Sequence, residues 1–247
     1  MEQAGPVNYD PFAWLYEEYW SADISSDFLY ALEKLFLPEL EDGSSILDLC
    51  CGTGRITAEF ARMGFTTTGL DSSASMLEYA RKRAPEVEFI QADARSFEIA
   101  REFDGVFSVF DSLNHMMTVD ELLAVFQCTF RSLRPGGTFF FDMNLERGFR
   151  RHWEEDFSVV EPEYVAVVHG NFDRFSKIGR YDFTLFRSAG GCWNRNDFTI
   201  LQRCYTRQQI ASRLRGAGFT NVRVFDATKD AQLPEHTGRI FVSAHRP

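Results

Sequence analysis

Residues 45–57 read S-I-L-D-L-C-C-G-T-G-R-I-T, and this stretch decides the fold. The apolar residues Ile46, Leu47 and Leu49 predict a buried strand, and residues 50–54 predict a sharp turn into a helix. Glycine within the turn permits backbone angles that a side chain forbids, and it lets a ligand lie against bare main chain. The free N–H groups of the new helix would point at that ligand. The pattern therefore predicts a strand, turn and helix built to hold a small molecule.

An acidic residue ends the next apolar run. Residues 66–71 read T-T-T-G-L-D, which places Asp71 at the predicted end of a second strand. A carboxylate there can accept hydrogen bonds from both hydroxyls of a ribose. The order of strand, glycine turn, helix, strand and acid therefore predicts a nucleoside site. A nicotinamide-dependent oxidoreductase is the competing hypothesis, and it predicts a third glycine where the sequence has Thr57.

Composition limits the classes of partner. The chain has 247 residues, of which 45% are hydrophobic and 25% charged, as in an ordinary globular protein. Its net charge of −10, with no dense basic block, argues against a nucleic-acid partner. No apolar run approaches the ~20 residues of a membrane span, and no signal peptide is visible. Five cysteines without a C-x-x-C pair give no sign of a metal site. We therefore expect a cytoplasmic protein with no membrane, nucleic-acid or metal partner.

Three parts can be distinguished along the chain. Residues 1–41 hold an aromatic cluster and a helix, predicted either to pack on the domain edge or to act as a lid. Residues 42–145 and 205–247 alternate strands and helices, which predicts a doubly wound, mostly parallel α/β sheet, with a turn at residues 134–137. Residues 146–204 alternate at period two between turns such as Gly190-Gly191. This third part predicts a β-rich antiparallel insertion that serves as a substrate lid or as a contact in a homo-oligomer.

Taken in order, these motifs resemble the class I S-adenosylmethionine-dependent methyltransferases. The matching stretches lie within about residues 44–145 and 205–245, and they read I-L-D-L-C-C-G-T-G, G-L-D-S-S, F-I-Q-A-D-A and L-R-P-G-G. The resemblance implies a Rossmann-like sheet of seven strands whose last strand is antiparallel. It also implies S-adenosyl-L-methionine as cofactor. Cys50 stands where the family motif has its first glycine.

The resemblance also implies a role for the residues at the ends of the first four strands. The turn would face the methionine part of the cofactor, Asp71 the ribose hydroxyls, and Asp93 the amino group of adenine. The expected cofactor-binding residues are Tyr9, Tyr16, Trp20, Asp48, Cys50, Cys51, Gly52, Gly54, Asp71, Ser72, Met76, Asp93, Ala94, Phe110 and His115.

Methyl transfer asks little chemistry of the protein, because the sulfonium is itself a strong electrophile. The enzyme must hold the nucleophile in line at about 3–3.5 Å and remove one proton. We predict His115 as the general base and Tyr9 as the residue that positions the nucleophile, with Asp111 as a further hydrogen-bonding candidate. The expected substrate contacts are Asn114, Trp153, Tyr164, Tyr181 and Trp193.

The predicted function is methyl transfer to a nitrogen or oxygen of a small molecule. The oxidoreductase and a non-catalytic S-adenosylmethionine-binding module are kept as alternatives.

Overall fold

A computed structural model of the chain describes residues 9–20 and 25–247. Its strands are β1 (Ser45–Leu49), β2 (Thr66–Asp71), β3 (Glu88–Gln91), β4 (Phe103–Ser108), β5 (Leu133–Asn144), β6 (Phe157–Glu161), β7 (Tyr164–Asp173), β8 (Ile178–Ala189), β9 (Cys192–Arg203), β10 (Thr220–Asp226) and β11 (Arg239–His245). Its helices are α1 (Ala13–Leu15, continued by a π-helical turn over Tyr16–Trp20), α2 (Ser25–Leu35), α3 (Arg55–Arg62), α4 (Ala74–Arg83), α5 (Val119–Ser132), α6 (Glu146–His152) and α7 (Arg207–Ala217). Residues 1–8 and 21–24 of the predicted N-terminal segment lie outside the described residues.

The larger sheet has seven strands in the order β3-β2-β1-β4-β5-β11-β10. Strands β1 to β5 are parallel, and β11 runs antiparallel to both of its neighbours. This arrangement confirms the predicted fold class. The chain passes from one half of the sheet to the other between β3 and β4, so a crevice opens where β1 and β4 lie side by side. Ligands of doubly wound sheets bind in such a crevice, at the carboxyl ends of the strands.

Phenylalanine fills both faces of this sheet. Successive strand residues point to opposite faces, so Phe139 and Phe141 pack under α5 and α7 while Phe140 packs under α2 and α3. All three are fully buried. The core therefore lies on both sides of β5, and it fixes the strand ends that carry the site.

The predicted turn at residues 134–137 is wrong, because these residues belong to β5. The Gly136 N–H donates to Arg246 O at 2.8 Å, and the Arg246 N–H donates to Gly137 O at 2.9 Å. Pairing with the end of the chain thus extends the strand through a Pro-Gly-Gly sequence that is typical of a turn.

The second sheet has four antiparallel strands in the order β6-β7-β8-β9. Its inner face, which includes Val168 and Phe183, packs on Phe149 and Trp153 of the α6 region and on Phe12 beside α1. Met76 of α4 joins the same cluster. The α1 segment is therefore held between the second sheet and α4.

Candidate active site

The turn after β1 is built from left-handed backbone. Cys50, Gly52 and Gly54 have φ of 64°, 53° and 70°. Such angles cost a non-glycine residue roughly 1–2 kcal/mol, and Cys50 adopts this conformation despite that cost. At Gly54 an added Cβ would lie 2.8 Å from the Ala80 Cβ, which is too close for two carbon atoms. Gly54 therefore allows α3 to begin close against α4.

The turn forms one wall of a crevice at the carboxyl ends of β1 to β4. Its free space is about 1170 Å³, part of it open to solvent. Every residue predicted to bind the cofactor lines this crevice except Trp20 and Gly54. The lining residues that the sequence predicted are Tyr9, Tyr16, Asp48, Cys50, Cys51, Gly52, Asp71, Ser72, Met76, Asp93, Ala94, Phe110 and His115.

Asp71 closes the crevice at the end of β2. One carboxylate oxygen accepts the Gly52 N–H and the other accepts the Ser73 N–H, both at 2.9 Å. The carboxylate thereby ties the glycine turn to the start of α4. Burial raises its pKa, and these two backbone donors oppose the rise. A carboxylate has about four acceptor positions, so capacity remains for two hydroxyl groups.

Asp48 lies beneath the turn in β1. Its carboxylate accepts the Thr57 hydroxyl at 2.5 Å, which joins the strand to α3. Burial raises the pKa of Asp48 to about 7, and the hydrogen bond from Thr57 opposes this. Thr57, at the position of the missing third glycine, thus has a structural partner of its own.

Asp93 follows β3 and carries an unpredicted partner. Its carboxylate receives the Arg95 guanidinium through Nε at 2.9 Å and Nη2 at 2.6 Å, and this pairing lowers its pKa. Arg95 also donates to Glu121 at 3.0 Å. The family resemblance implies a contact between Asp93 and an adenine amino group. Such a contact would have to use the carboxylate lone pairs that Arg95 leaves free.

His115 faces the crevice from the 3₁₀ turn after β4. Its Nδ1 donates to Leu201 O at 2.9 Å, since a carbonyl oxygen can only accept. Its Nε2 lies 2.6 Å from the Tyr9 hydroxyl and 3.1 Å from Gln202 Nε2. Burial raises the pKa of Tyr9 and lowers that of His115, so the phenol donates to a neutral imidazole. The Nε2 atom is thus an unprotonated nitrogen at the crevice wall.

Residues 9–20 cover the crevice and are anchored by two acidic side chains. The Asp10 carboxylate accepts the Ser73 hydroxyl at 2.6 Å and the Ser75 N–H at 3.1 Å. Glu17 accepts from Arg55 at 3.0 Å and is also paired with Arg83. These contacts attach the segment to the first residues of α3 and to both ends of α4, and they place Tyr9 and Tyr16 on the crevice wall.

The remaining predicted site residues lie elsewhere. Asn114 is fully buried: its amide donates to Asn144 O and Arg203 O, and its oxygen accepts the Asn144 N–H. With its hydrogen bonds made inside the protein, it joins the two sheets and does not line the crevice. Trp20 is likewise not a wall residue, because it packs on Phe12 and the second sheet.

The predicted aromatic substrate contacts belong to the second sheet. Trp153 is buried and stacks on Tyr181 at 4.2 Å between ring centroids, while the Tyr181 hydroxyl donates to His152 O. Tyr164 meets Trp14 edge to face, and Trp193 is 52% exposed near the tip of β9. Asp111 is paired with Arg239. None of these side chains lies on the crevice wall: the aromatic ones pack within the insertion or face solvent, and Asp111 faces Arg239.

Several wall residues were not predicted. They are Thr53, Arg55, Ile56, Ala92, Arg95, Val109, Ser112, Met116, Met117 and Glu121. Most of them lie next to predicted residues in the sequence. Extending each motif by a few positions would have identified them. Glu121 had a second signal, since Thr118 and Glu121 form a capping box at the start of α5.

The wall suits an adenosyl sulfonium. Asp71 offers acceptors for hydroxyls, and Met76, Ala94 and Met116 offer apolar surface for a flat ring. Bare main chain at Gly52 permits close approach, while the aromatic rings of Tyr9 and Tyr16 and the acidic groups favour a cation. The residues present therefore fit S-adenosylmethionine.

No helix within residues 9–20 and 25–247 is long and apolar enough to cross a membrane. In the same part of the chain, no three His, Cys, Asp or Glu side chains cluster closely enough to hold a metal ion.

Known proteins are similar to this chain in sequence and in fold. A family model described as "Methyltransferase domain" matches residues 46–137. The putative methyltransferase YqeM of Bacillus subtilis is 28% identical over 96% of this chain and 97% of its own length. A dTDP-3-amino-3,4,6-trideoxy-alpha-D-glucopyranose N,N-dimethyltransferase of Streptomyces venezuelae is 40% identical over 39% of this chain and 40% of its own. The crystal structure of an S-adenosylmethionine-dependent methyltransferase from Clostridium acetobutylicum superposes with a TM-score of 0.80, at 23% identity, over 96% of this chain and 98% of that one.

The chain belongs to the class I S-adenosylmethionine-dependent methyltransferases. S-adenosylmethionine is its cofactor, and the oxidoreductase alternative is set aside.

Proposed function

We propose that the protein transfers the methyl group to an amine nitrogen or a hydroxyl oxygen of a small molecule, with His115 as general base. The observation that carries the proposal is the position of His115 Nε2 at the crevice wall, 2.6 Å from the Tyr9 hydroxyl, while Nδ1 is hydrogen-bonded to Leu201 O. A methylated amine or hydroxyl must lose one proton, and a neutral imidazole can take it.

The cofactor would lie along the wall that the motifs build. The Gly52 main chain would face its methionine part, Asp71 its ribose, and Met76 with Ala94 its adenine. Bound there, it supplies the electrophilic methyl group. The chain's own residues would orient the acceptor, exclude water and hold the departing proton, with the Tyr9 oxygen positioned to accept a hydrogen bond from the acceptor while its O–H donates to His115 Nε2.

A small acceptor is favoured by the cover over the crevice. Residues 9–20 contribute Tyr9 and Tyr16 to the wall, and Asp10 and Glu17 fix the segment in place. A large polymer would have to displace this segment. The acidic wall favours an amine, and the Streptomyces venezuelae relative carries a name that denotes N,N-dimethylation of an amino sugar. Amino sugars are therefore the first acceptors to test.

The location in the cell stays a prediction. The five cysteines are all unpaired, which supports a reducing compartment such as the cytoplasm.

The test is a methyl-transfer assay with isotopically labelled S-adenosylmethionine. Free and nucleotide-linked amino sugars form one set of acceptors, the matching sugars with hydroxyl in place of amine form the second, and protein and RNA form the third. Mass spectrometry of the product reports the methylated atom. We expect label only in the small acceptors, with an amine preferred over its hydroxyl counterpart.

Label in protein or RNA alone would contradict the proposal. Cofactor binding without turnover on any set would favour the non-catalytic module instead.

A further inference from the structure

Gln202 of β9 is a buried amide between two groups of the site. Its Nε2 lies 2.6 Å from Asp111 Oδ2 and 3.1 Å from His115 Nε2. A carboxylate can only accept, so the amide nitrogen must face Asp111. The side chain is 3% exposed, and its oxygen is buried without a hydrogen-bond partner among the described residues. Asp111 therefore sets the orientation of this amide, and that orientation leaves Gln202 Oε1 without a hydrogen-bond partner among the described residues.

Asp111 is held firmly in turn. Its Oδ1 accepts a hydrogen bond from Arg239 Nη2 at 2.9 Å. The backbone N–H of Asp111 donates to the Asp142 carboxylate, at 3.2 Å from Oδ1 and 3.1 Å from Oδ2. Arg239 also pairs with Asp142. Because these anchors lie in β11 and β5, the larger sheet fixes the direction in which Gln202 presents its N–H groups.

His115 makes two hydrogen bonds with one strand of the insertion. Its Nδ1–H donates to Leu201 O, and the neighbouring Gln202 directs an N–H at the Nε2 lone pair. A proton added at Nε2 would meet that N–H instead of an acceptor, so this arrangement disfavours the imidazolium.

We propose that Gln202 is a positioning residue that holds His115 in the neutral form with the proton on Nδ1 and the lone pair on Nε2. The second sheet thereby positions the proposed general base, since Leu201 and Gln202 of β9 are the partners in two of the hydrogen bonds of His115. The link to catalysis rests on the proposed function, whereas the state of the imidazole does not.

Other groups around the 3₁₀ turn do not supply this effect. Tyr9 faces His115 from the N-terminal segment; its phenol donates to the neutral imidazole and can rotate to accept from a protonated one, so it does not oppose protonation. Asp111 favours the charged imidazole, and Arg239 beside it offsets that charge. On the β9 side, the Arg203 guanidinium donates to Met117 O and the Tyr205 hydroxyl to Met116 O, so both are directed at main chain. Gln202 is thus a side chain in contact with His115 that adds to burial in opposing protonation at Nε2.

The first test is ¹⁵N NMR of the imidazole rings in the wild-type protein. The chain has five histidines, and the His115→Asn variant identifies the signals of this one. We expect one neutral tautomer with Nδ1 protonated and Nε2 unprotonated. A signal pattern with the proton on Nε2 would overturn the proposal without any variant of Gln202.

The second test is the pKa of His115 in Gln202→Met, which removes the amide with little change in volume. We expect the pKa to rise by about one unit, a tenfold change in proton affinity, because the opposing N–H is lost and Asp111 remains. Gln208→Met makes the same change at an exposed position of α7 and should leave the pKa unchanged. An unchanged pKa in a folded Gln202→Met protein overturns the proposal.

The activity readout separates this proposal from the proposed function. In Gln202→Met the acidic limb of the pH–rate profile should shift to higher pH by the same amount as the NMR pKa. At pH values above that limb, kcat should return to the wild-type value. If the NMR pKa moves and the limb does not, His115 is not the base, while the positioning role of Gln202 stands. If neither moves, the positioning role is wrong.

Discussion

Replacement of Asp71 is the sharpest mutational test of the cofactor site. Its two oxygens already accept the Gly52 and Ser73 N–H groups at 2.9 Å, and the site assignment adds two ribose hydroxyls on the remaining acceptor positions. Asparagine is therefore not a conservative substitute, because its NH₂ group would face a backbone N–H donor. We expect Asp71→Asn and Asp71→Ala to weaken cofactor binding to a similar extent.

The size of the effect follows from the charged hydrogen bonds that are lost. A hydrogen bond to a charged group contributes about 1.5–3 kcal/mol, and water replaces part of what is removed. With 1.4 kcal/mol for each factor of ten, the dissociation constant should rise about 10- to 100-fold.

Isothermal titration calorimetry with S-adenosylmethionine, and with its demethylated product, measures this directly. Asp197→Asn provides a control, because Asp197 is an exposed aspartate of the second sheet paired with Arg195. Urea unfolding of each variant shows whether the turn remains folded. Wild-type affinity in a folded Asp71→Ala protein would refute the ribose assignment, and an equal loss in the control would refute its specificity.

Four further predictions concern the base, a buried acid and the turn. His115→Ala should reduce kcat by about 100-fold or more while leaving the calorimetric affinity for the cofactor nearly unchanged, and wild-type turnover would remove it as the base. Because burial lowers the pKa of His115, wild-type kcat should stay level as the pH falls through neutrality, and an acidic limb centred above 6.5 would contradict this. The pKa of Asp48 is raised to about 7 in the folded state, so its contribution to stability is present at low pH and is lost as the pH rises through 7. Asp48→Asn should therefore flatten the pH dependence of the free energy of unfolding by on the order of 2–4 kcal/mol between about pH 5 and 8, and parallel urea-derived curves for the two proteins would count against the shifted acid. Gly54→Ala should cost about 2–4 kcal/mol, since it adds left-handed strain to a contact of 2.8 Å with Ala80. Gly190 has a similar φ of 60° with open space around it, so Gly190→Ala should lose only the stability that the left-handed backbone costs. Equal losses of stability in the two variants would show that the contact with Ala80 does not contribute.

The parts of the site that could be predicted from sequence are local. A glycine turn after one strand and an acid after the next are patterns of a few residues, and the parallel sheet then brings their ends together. For this reason Cys50, Asp71, Asp93 and Phe110 share one crevice wall although they are far apart in the chain.

The parts that could not be predicted depend on contacts across the chain. Gln202 reaches His115 over 87 positions, and no local pattern marks it. Asn114 is a residue type that often lies in binding sites, but here its amide group makes its hydrogen bonds to the main chain of neighbouring strands. The aromatic side chains of the insertion could not be assigned to the core or the crevice, because period-two alternation does not say which face of a sheet meets the cofactor.

The central claim is that the crevice at the ends of β1 to β4 holds S-adenosylmethionine with its ribose on Asp71. A crystal structure with S-adenosylhomocysteine tests it most directly. We predict both ribose hydroxyls within hydrogen-bond distance of the Asp71 carboxylate, and the sulfur facing the open space beside His115 and Tyr9. A nucleoside bound elsewhere, or a crevice filled by residues 9–20 in its presence, would contradict the account.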